Sequence, residues 1–301
     1  MQTPEALKAQ INSTTDLQSV VKTMKALAAV SIQQYEAATR ALRDYSRTLE
    51  LGLQILLAQP HYLENPPWQT GQLIQPDGKL GVILFGSDQG LCGQFNQQIA
   101  QHLAHYLGNP PAPIERHQRV ATVGVRPVPS LQDMGITVDD HWPVPTSVSE
   151  ITGRVRDLLL MIEQWRQNQA VDRILLFHNR PTAGAAYESC IVQLLPLDYD
   201  WLQTLQSQPW ESRTLPTVFV DPEVLFSNLV QQYLFITLYQ ALAASLAAEN
   251  ASRLAAMQSA EGNIRERLDD LTSQYRQQRQ SAITSELLDV VSGFEALTGG
   301  E

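Results

Sequence analysis

The sequence predicts an α/β domain inserted between two long terminal helices that pair antiparallel with each other. Three observations carry this reading. Both ends show an apolar repeat of the coiled-coil type, both run free of proline (residues 5–59 and 223–301), and the middle alternates short apolar runs with helical patterns.

From Leu17 an apolar or small residue recurs in steps of four and three: Leu17, Val21, Met24, Ala28, Ser31, Tyr35, Ala38, Leu42, Tyr45, Leu49, Gly52 and Leu56. That outlasts the three or four heptads that separate a coiled coil from an ordinary amphipathic helix. Pro60, Pro66 and Pro67 close the segment, because proline has no N–H to give and clashes with the preceding turn. At the other end Asp221-Pro222 reads as an N-cap followed by a first-turn proline. At ~1.5 Å per residue, a helix from Pro222 to Leu297 would be on the order of 110 Å long. Its lower half repeats the seam as Ile264, Leu268, Leu271 and Tyr275, then after a slip of eight as Ile283, Leu287, Val290, Phe294 and Leu297. Gly262 and Gly293 are its weakest positions. The folded insert between the two segments makes them antiparallel, and the expected division is residues 1–60, 61–220 and 221–301.

Between the helices, Leu80 to Phe85, Arg119 to Val125, Arg173 to Phe177, Cys190 to Leu194 and Thr217 to Val220 read as strands. Gly93 to Leu107 and Ser149 to Gln167 read as helices, so the insert is expected to be a Rossmann-like α/β domain with a largely parallel sheet. Loops are expected at Pro110-Pro111-Ala112-Pro113, Pro127-Val128-Pro129 and Trp142-Pro143-Val144-Pro145.

Composition narrows the function classes. With 44% apolar and 17% charged residues the chain is an ordinary globular one, and its net charge of −10 argues against a broad nucleic-acid face. Two cysteines in 301 residues, Cys92 and Cys190, fit a reducing compartment and exclude a disulfide scaffold. The start, Met1 to Glu5, lacks the basic and apolar regions of a secretory signal. Residues 224–248 carry no Asp, Glu, Lys or Arg, but Gln231, Gln232, Thr237, Gln240 and Ser245 interrupt them and no basic flank follows. A helix buried on several sides by protein is favoured over a membrane span.

The motifs that could carry chemistry are few. Gly86-Ser87-Asp88-Gln89-Gly90-Leu91-Cys92-Gly93 follows a strand and opens a helix, where a phosphate loop would sit. Its G-x3-G-x2-G spacing is not a dinucleotide fingerprint, and a tight structural turn is favoured over a nucleotide site. The histidines at 61, 102, 105, 117, 141 and 178 lack partners at metal-ligand spacing and read as surface residues. The doublets Asp139-Asp140 and Asp269-Asp270 point to different faces of any regular element and read as solvated. The densest remaining cluster is Tyr275, Arg276, Arg279, Gln280, Ile283, Thr284, Glu286, Leu287 and Leu288, with Gln280 and Thr284 one helical turn apart.

These residues carry a resemblance. Leu271-x3-Tyr275-x3-Arg279-Gln280-x2-Ile283-Thr284-x-Glu286-Leu287-x-Asp289-Val290-Val291-x-Gly293 closely resembles the C-terminal signature of the gamma subunit of F-type ATP synthases. Ala248 to Met257 is similar to that family's S-E-x-x-A-R-M-x-A-M stretch, Val21 to Ala29 to its I-T-K-A-M-x-x-V-A-A, and Asp88 to Asn96 to its D-x-G-L-C-G-x-x-N. The four motifs stand in family order and span residues 21 to 293.

The resemblance implies a non-catalytic rotor shaft without cofactor, catalytic residue or metal. Its partners would be the alpha and beta subunits of the catalytic hexamer, the epsilon subunit and the c-ring, and it would lie as a peripheral protein on the cytoplasmic face of a bacterial plasma membrane or on a thylakoid membrane. Carried over by position, Arg279 and Gln280 would meet a catch loop of a beta subunit, and Thr284 and Glu286 would be neighbouring shaft contacts. Lys22 and Met24 would face the lower beta-subunit lever, while Gly90, Gly93 and Asn96 would build a structural turn. Val30-Ser31-Ile32-Gln33-Gln34 stands where relatives place basic residues, and the cysteine-pair insertion of light-regulated chloroplast chains is missing. Those departures point to a divergent branch, the alternate, sodium-type F-ATPases.

Overall fold

The computed structural model describes residues 3–59, 62–63, 79–109, 118–169, 171–182, 187–210, 213–214, 216 and 218–298. Pro66, Pro67 and the Pro110 to Pro113 loop lie outside the described residues, as do Pro60, His61, His117 and Thr217. The elements are α1 (Pro4–Leu57), β1 (Lys79–Phe85), α2 (Phe95–Gly108), β2 (Arg119–Val123), α3 (Pro127–Asp133), β3 (Asp140–Trp142), α4 (Val148–Gln169), β4 (Val171–Pro181), β5 (Tyr187–Leu195), α5 (Tyr199–Ser207) and α6 (Pro222–Thr298). Contacts group the chain into two units, residues 1–28 with 254–301 and residues 29–253, so each terminal helix contributes to both.

In the larger unit five strands form one sheet in the order β3-β2-β1-β4-β5. β1 pairs in parallel with β2 and β4, β2 with β3, and only β5 runs antiparallel to its neighbour. The order reverses between β1 and β4, as in doubly wound folds. Strand alternation divides the core. Leu80, Val82 and Leu84 of β1 join Leu175 and Phe177 of β4 beneath α2 and α3. Ile83, Phe85, Ile174 and Leu176 face the other way, onto α4 and the stretches of α1 and α6 around Tyr35 and Leu242. Each fully buried aliphatic or aromatic side chain contributes roughly 1.5–3 kcal/mol, so both faces are committed.

The helix pair is antiparallel in this unit. The Tyr62 hydroxyl donates to the Pro222 carbonyl at 3.0 Å, and Gln240 donates to the Ser46 hydroxyl at 3.2 Å, so one helix ascends as the other descends. Tyr35, Leu49 and Leu56 of the predicted seam are buried, whereas Tyr45 is 45% exposed. Asp221 caps α6 as expected, its carboxylate accepting from the backbone N–H groups of Glu223 and Val224. Within residues 224–248, Leu234, Leu238 and Leu246 pack into the cores while Val224, Gln231 and Gln232 are exposed, and among the described residues no helix is long and apolar enough to cross a membrane.

In the smaller unit Lys25 pairs with Glu261 at 2.5 Å, and Leu7 and Leu271 are buried. With the helices antiparallel, that pair sets a register in which Pro4 lies across from about residue 282. The seam past Tyr275 is therefore corrected: Ile283, Leu287 and Val290 are exposed, because no described residue of α1 lies opposite them. The side chains of Phe294 and Leu297 lie outside the described residues.

Three further expectations change, and two elements were not anticipated. Pro127-Val128-Pro129 opens helix α3 rather than forming a loop, Pro127 sitting where a helix needs no N–H. The strand expected to end at Val220 does not form over the described residues 218–220, where Phe219 is 94% exposed and no neighbouring strand completes a ladder. β3 is a strand of three residues and α5 a helix of nine, both too short for a periodicity to be seen. His178 is a buried residue of β4 rather than a surface one, because that strand is covered on both faces.

Candidate functional site

Two places hold the residues singled out by sequence, and each belongs to one unit. The first is the turn between β1 and α2. Gly86 donates its N–H to the Val123 carbonyl at 2.8 Å, tying the end of β1 to β2. The Asn96 side chain then closes the turn, its Oδ1 accepting from Ser87 N at 3.0 Å and its Nδ2 donating to Ser87 Oγ at 2.8 Å. Gly93 has φ +58°, in the left-handed region that glycine tolerates, and Leu91 adopts a similar φ of 60° without that freedom. Gly124 approaches from β2 with φ +105°, and a Cβ there would lie 2.7 Å from Ser87 N. Gly90 is half-buried beside Arg126.

Sequence reasoning missed the residue that fastens this turn to its neighbours. Asp88 accepts from Val125 N at 3.0 Å through one oxygen and from Val144 N at 2.7 Å through the other, and its carbonyl accepts from Arg126 Nε. One carboxylate thus joins the loops that follow β1, β2 and β3. A short acid between glycines after an apolar strand was the available signal, and it cannot tell a clamp from a surface turn.

Helix α6 covers the turn from the other side. The Ser252 hydroxyl donates to the Cys92 carbonyl at 2.6 Å, and Ala248 packs with Cys92 and Phe95. Burial pushes the Cys92 thiol above its ordinary pKa, so it behaves as a packed apolar group. Ser87 N and Phe95 N, two of the donors nearest the helix start, are committed to Asn96 and to the Cys92 carbonyl. The arrangement is that of a structural junction.

Beside the junction lies a buried ion pair. Arg253 Nη2 meets Glu249 Oε1 at 2.5 Å one turn apart on α6, and the two residues are 9% and 6% exposed. Burial raises the Glu249 pKa, Arg253 draws it back, and Asp88 adds to the rise. Tyr35 faces the same pair from α1, and burial together with the Glu249 charge raises its phenol pKa.

The second place is the smaller unit. Lys22 is exposed and Met24 half-buried on α1, while Lys25 is engaged by Glu261. Its hydrogen bond from Lys25 and the nearby Lys22 and Arg265 hold the Glu261 carboxyl below its usual pKa. On α6, Arg279, Gln280, Thr284 and Glu286 are all exposed, and the Thr284 hydroxyl is turned onto the Gln280 carbonyl at 2.9 Å. Ile283, Leu287, Leu288, Val290 and Val291 are exposed among them, and Leu17, Val20 and Leu27 are exposed on α1. Lys22 and Met24 lie on α1 and Arg279 to Glu286 on α6.

The remaining candidates do not assemble into a reactive group. His178 is buried with its pKa depressed to about 4 by burial first and Arg180 second, and its ring meets the Cys190 thiol at 3.3 Å. His102 stands half-buried with its ring edge-on to Phe177 rather than at the surface, while His105 and His141 are exposed. Among the described residues no group of three or more His, Cys, Asp or Glu side chains could hold a metal ion.

Terminal helices that pair antiparallel in the larger unit, a doubly wound sheet inserted between them and an exposed end of α6 that mixes apolar with charged side chains define the class: an α/β domain carried between two long helices. Comparison with known proteins makes the assignment specific. The family described as ATP synthase matches residues 3–297, and the chain belongs to that family, in its gamma-subunit branch. It is 27% identical over 300 residues to the ATP synthase gamma chain of Sulfurovum sp. (strain NBC37-1), covering 97% of this chain and 98% of that one. To the ATP synthase gamma chain of Haemophilus ducreyi it is 28% identical over 298 residues, covering 97% and 98%. In fold it is similar to a chain of the Euglena gracilis mitochondrial ATP synthase, in a structure of OSCP/F1/c-ring, with TM-score 0.65, 19% identity and coverage of 99% and 95%.

Proposed function

We propose that this chain is the central-stalk rotor subunit of a rotary ATP synthase, coupling ion movement through the membrane sector to ATP synthesis or hydrolysis at the beta subunits. The observation that carries the reading is the tip of α6. From Arg279 to Ser292 every residue is exposed, yet five of them are large apolar side chains. An apolar stripe of that length in water marks a surface that another protein surrounds. The stripe stands on an unbroken helix whose backbone bonds are satisfied internally, so the tip can enter a sleeve without leaving unpaired N–H or C=O groups behind.

In this reading Arg279 and Gln280 grip a catch loop of a beta subunit by charge-assisted hydrogen bonds, Thr284 and Glu286 extend that contact, and Lys22 and Met24 face the lower lever. The segments 1–60 and 221–301 form the shaft, and residues 61–220 meet the epsilon subunit and the c-ring. The chain itself holds no catalytic residue and sits peripherally on the cytoplasmic face of the membrane. The turn at Gly90, Gly93 and Asn96 is structural, supported by the commitment of Ser87 N and Phe95 N.

Tagging the chain and purifying it from its own cell tests the reading. Alpha, beta and epsilon subunits in stoichiometric amounts are expected; their absence overturns it. Calorimetry with ATP, ADP and NAD addresses the competing reading of a nucleotide-binding α/β protein with helical arms, which tight one-to-one binding would favour.

A further inference from the structure

Away from the junction, the larger unit contains a cavity of about 530 Å³, within the size range of small-molecule sites. It is lined by α1 and α6 on one side and by β4, β5 and α5 on the other. The bond from Gln240 to Ser46 sets the register of the two helices, so Arg43 lies across from about residue 243 and Glu50 across from about residue 236. Arg180 belongs to the Arg43 end: Ser245 reaches the Phe85 carbonyl at the end of β1, and β4 runs parallel beside β1 with Phe177 next to Leu84. The other end is aromatic. Trp201 stacks on Tyr233 with ring centroids 4.7 Å apart, beside Ile236 and Glu50. At ~1.5 Å per residue, Glu50 stands roughly 10 Å along α1 from Arg43, about one Debye length, so the cavity has a cationic end and an apolar one.

Some of its polar groups are already used. Thr39 and Thr237 turn their hydroxyls onto the Tyr35 and Tyr233 carbonyls, and Arg180 Nε donates to Glu188 at 2.6 Å. Three groups at the cationic end keep bonding capacity. Arg43 is exposed and makes no hydrogen bond or ion pair among the described residues. Ser46 accepts from Gln240 at 3.2 Å, which leaves its own O–H to donate. His178 is 6% exposed, and its two ring nitrogens reach the same sulfur, Cys190 Sγ, at 3.6 and 3.3 Å. One thiol satisfies one nitrogen, so a buried polar atom on the cavity wall lacks a partner of its own, a costly arrangement that a bound acceptor or donor relieves.

We propose that this cavity binds a small organic anion, its phosphate or carboxylate head held by Arg43, Ser46 and His178 with Arg180 beside them, and its apolar body laid along Val192, Ile236 and Trp201. A guanidinium fork accepts either head in a bidentate pair, and the stacked Trp201 gives a flat body a rigid surface to lie on. None of the residues from Gly86 to Gly93 lines the cavity, so it is distinct from the turn weighed above as a nucleotide site. The proposal stands independently of the rotor reading.

Calorimetry and proton NMR on the tagged full chain test it, with phenyl phosphate and benzoate as probes and inorganic phosphate as a head without a body. At least one aromatic probe is expected to bind one-to-one with a Kd near 1 mM, about tenfold tighter than inorganic phosphate, and to move the His178 ring signals. Which of the two binds tighter identifies the head. R43Q, a change at an exposed position, should melt with the unaltered protein and weaken binding about tenfold. Aromatic anions that fail to bind below about 10 mM, binding unaltered in R43Q, or His178 signals that stay in place at saturation would each overturn the proposal. Inorganic phosphate binding as tightly as both aromatic probes would overturn the apolar end of the site.

Discussion

Replacing Arg253 with leucine removes the cation from a buried pair while keeping most of the aliphatic volume. The structure sets the scale of the effect. Glu249 is 6% exposed, so water cannot take over the role of the Arg253 guanidinium, which meets it at 2.5 Å. The second guanidinium bond, to the Asn250 side chain, is also lost. Breaking a buried pair in this way costs about 3–5 kcal/mol, because the remaining charge is uncompensated. The orphaned carboxylate can escape by binding a proton, at about 1.4 kcal/mol for each unit by which its pKa lies below the ambient pH, which favours the lower half of that range at neutral pH. In a unit of some 225 residues (29–253) each kcal/mol moves Tm by about 2–4 °C, so a fall of roughly 6–16 °C is expected.

The pH dependence gives the sharper test. Burial already lifts the Glu249 pKa above its ordinary value, so the folded chain holds that proton more tightly than the unfolded chain does. Protonation therefore favours the fold, and the cost of the buried carboxylate is full above its folded pKa and vanishes below its unfolded one. Without Arg253 the folded pKa rises further. The deficit of R253L against the unaltered protein at the same pH should be largest near pH 8 and shrink steadily toward pH 5. Urea unfolding followed by circular dichroism at several pH values measures it, and the double variant E249L/R253L should recover to within about 1 kcal/mol of the unaltered protein. A deficit below about 1 kcal/mol at pH 7, or one of equal size at pH 8 and pH 5, would refute the reasoning.

Three other outcomes follow from the same structure. Gly124→Ala places a Cβ 2.7 Å from Ser87 N at a φ of +105°, and should cost about 3 kcal/mol, seen as a Tm loss of roughly 6–12 °C in the larger unit. Lys25→Ala should weaken the helix pair of the smaller unit modestly, an effect that salt erodes. Because the Glu261 carboxyl is held below its usual pKa, that contribution is present at neutral pH and fades as pH falls through the acid range, which a thermal melt at pH 7 and pH 3 would resolve. Arg279→Ala with Gln280→Ala should leave melting of the isolated subunit unchanged, both side chains being exposed, while lowering ATP hydrolysis and synthesis by the assembled complex; unaltered activity would remove these residues from the contact.

The terminal helices were legible because their periodicity runs long enough to exclude alternatives, and four of the five strands because short apolar runs rich in Val, Ile, Leu and Phe alternate with helical patterns. β1 at Lys79–Phe85 and the seam residues Tyr35, Leu49 and Leu56 fall where the pattern places them. Periodicity fails where an element is short or where the partner ends. β3 has three residues, and its existence depends on β2 lying beside it, a non-local fact. The seam through Ile283, Leu287 and Val290 is a sound helix stripe that meets no partner among the described residues, and the repeat looks the same whether the surface facing it belongs to this protein or to another.

The junction was half legible for a related reason. Glycine positions report local backbone demands, so Gly93 and its positive φ could be anticipated from the turn they build. Asp88, Glu249, Ser252 and Arg253 act through contacts 37 to 160 residues away or through burial that only the packed sheet creates. In the sequence Glu249 and Arg253 are an ordinary i,i+4 pair of the kind that decorates solvated helices, worth a few tenths of a kcal/mol. Laid against the carboxyl edge of the sheet, the same two residues hold opposite charges where water does not reach, and their loss becomes expensive. Charge spacing along a helix therefore carries little information until the neighbours that desolvate it are known, and here those neighbours are Tyr35 of α1 and the loops that follow β1 and β3.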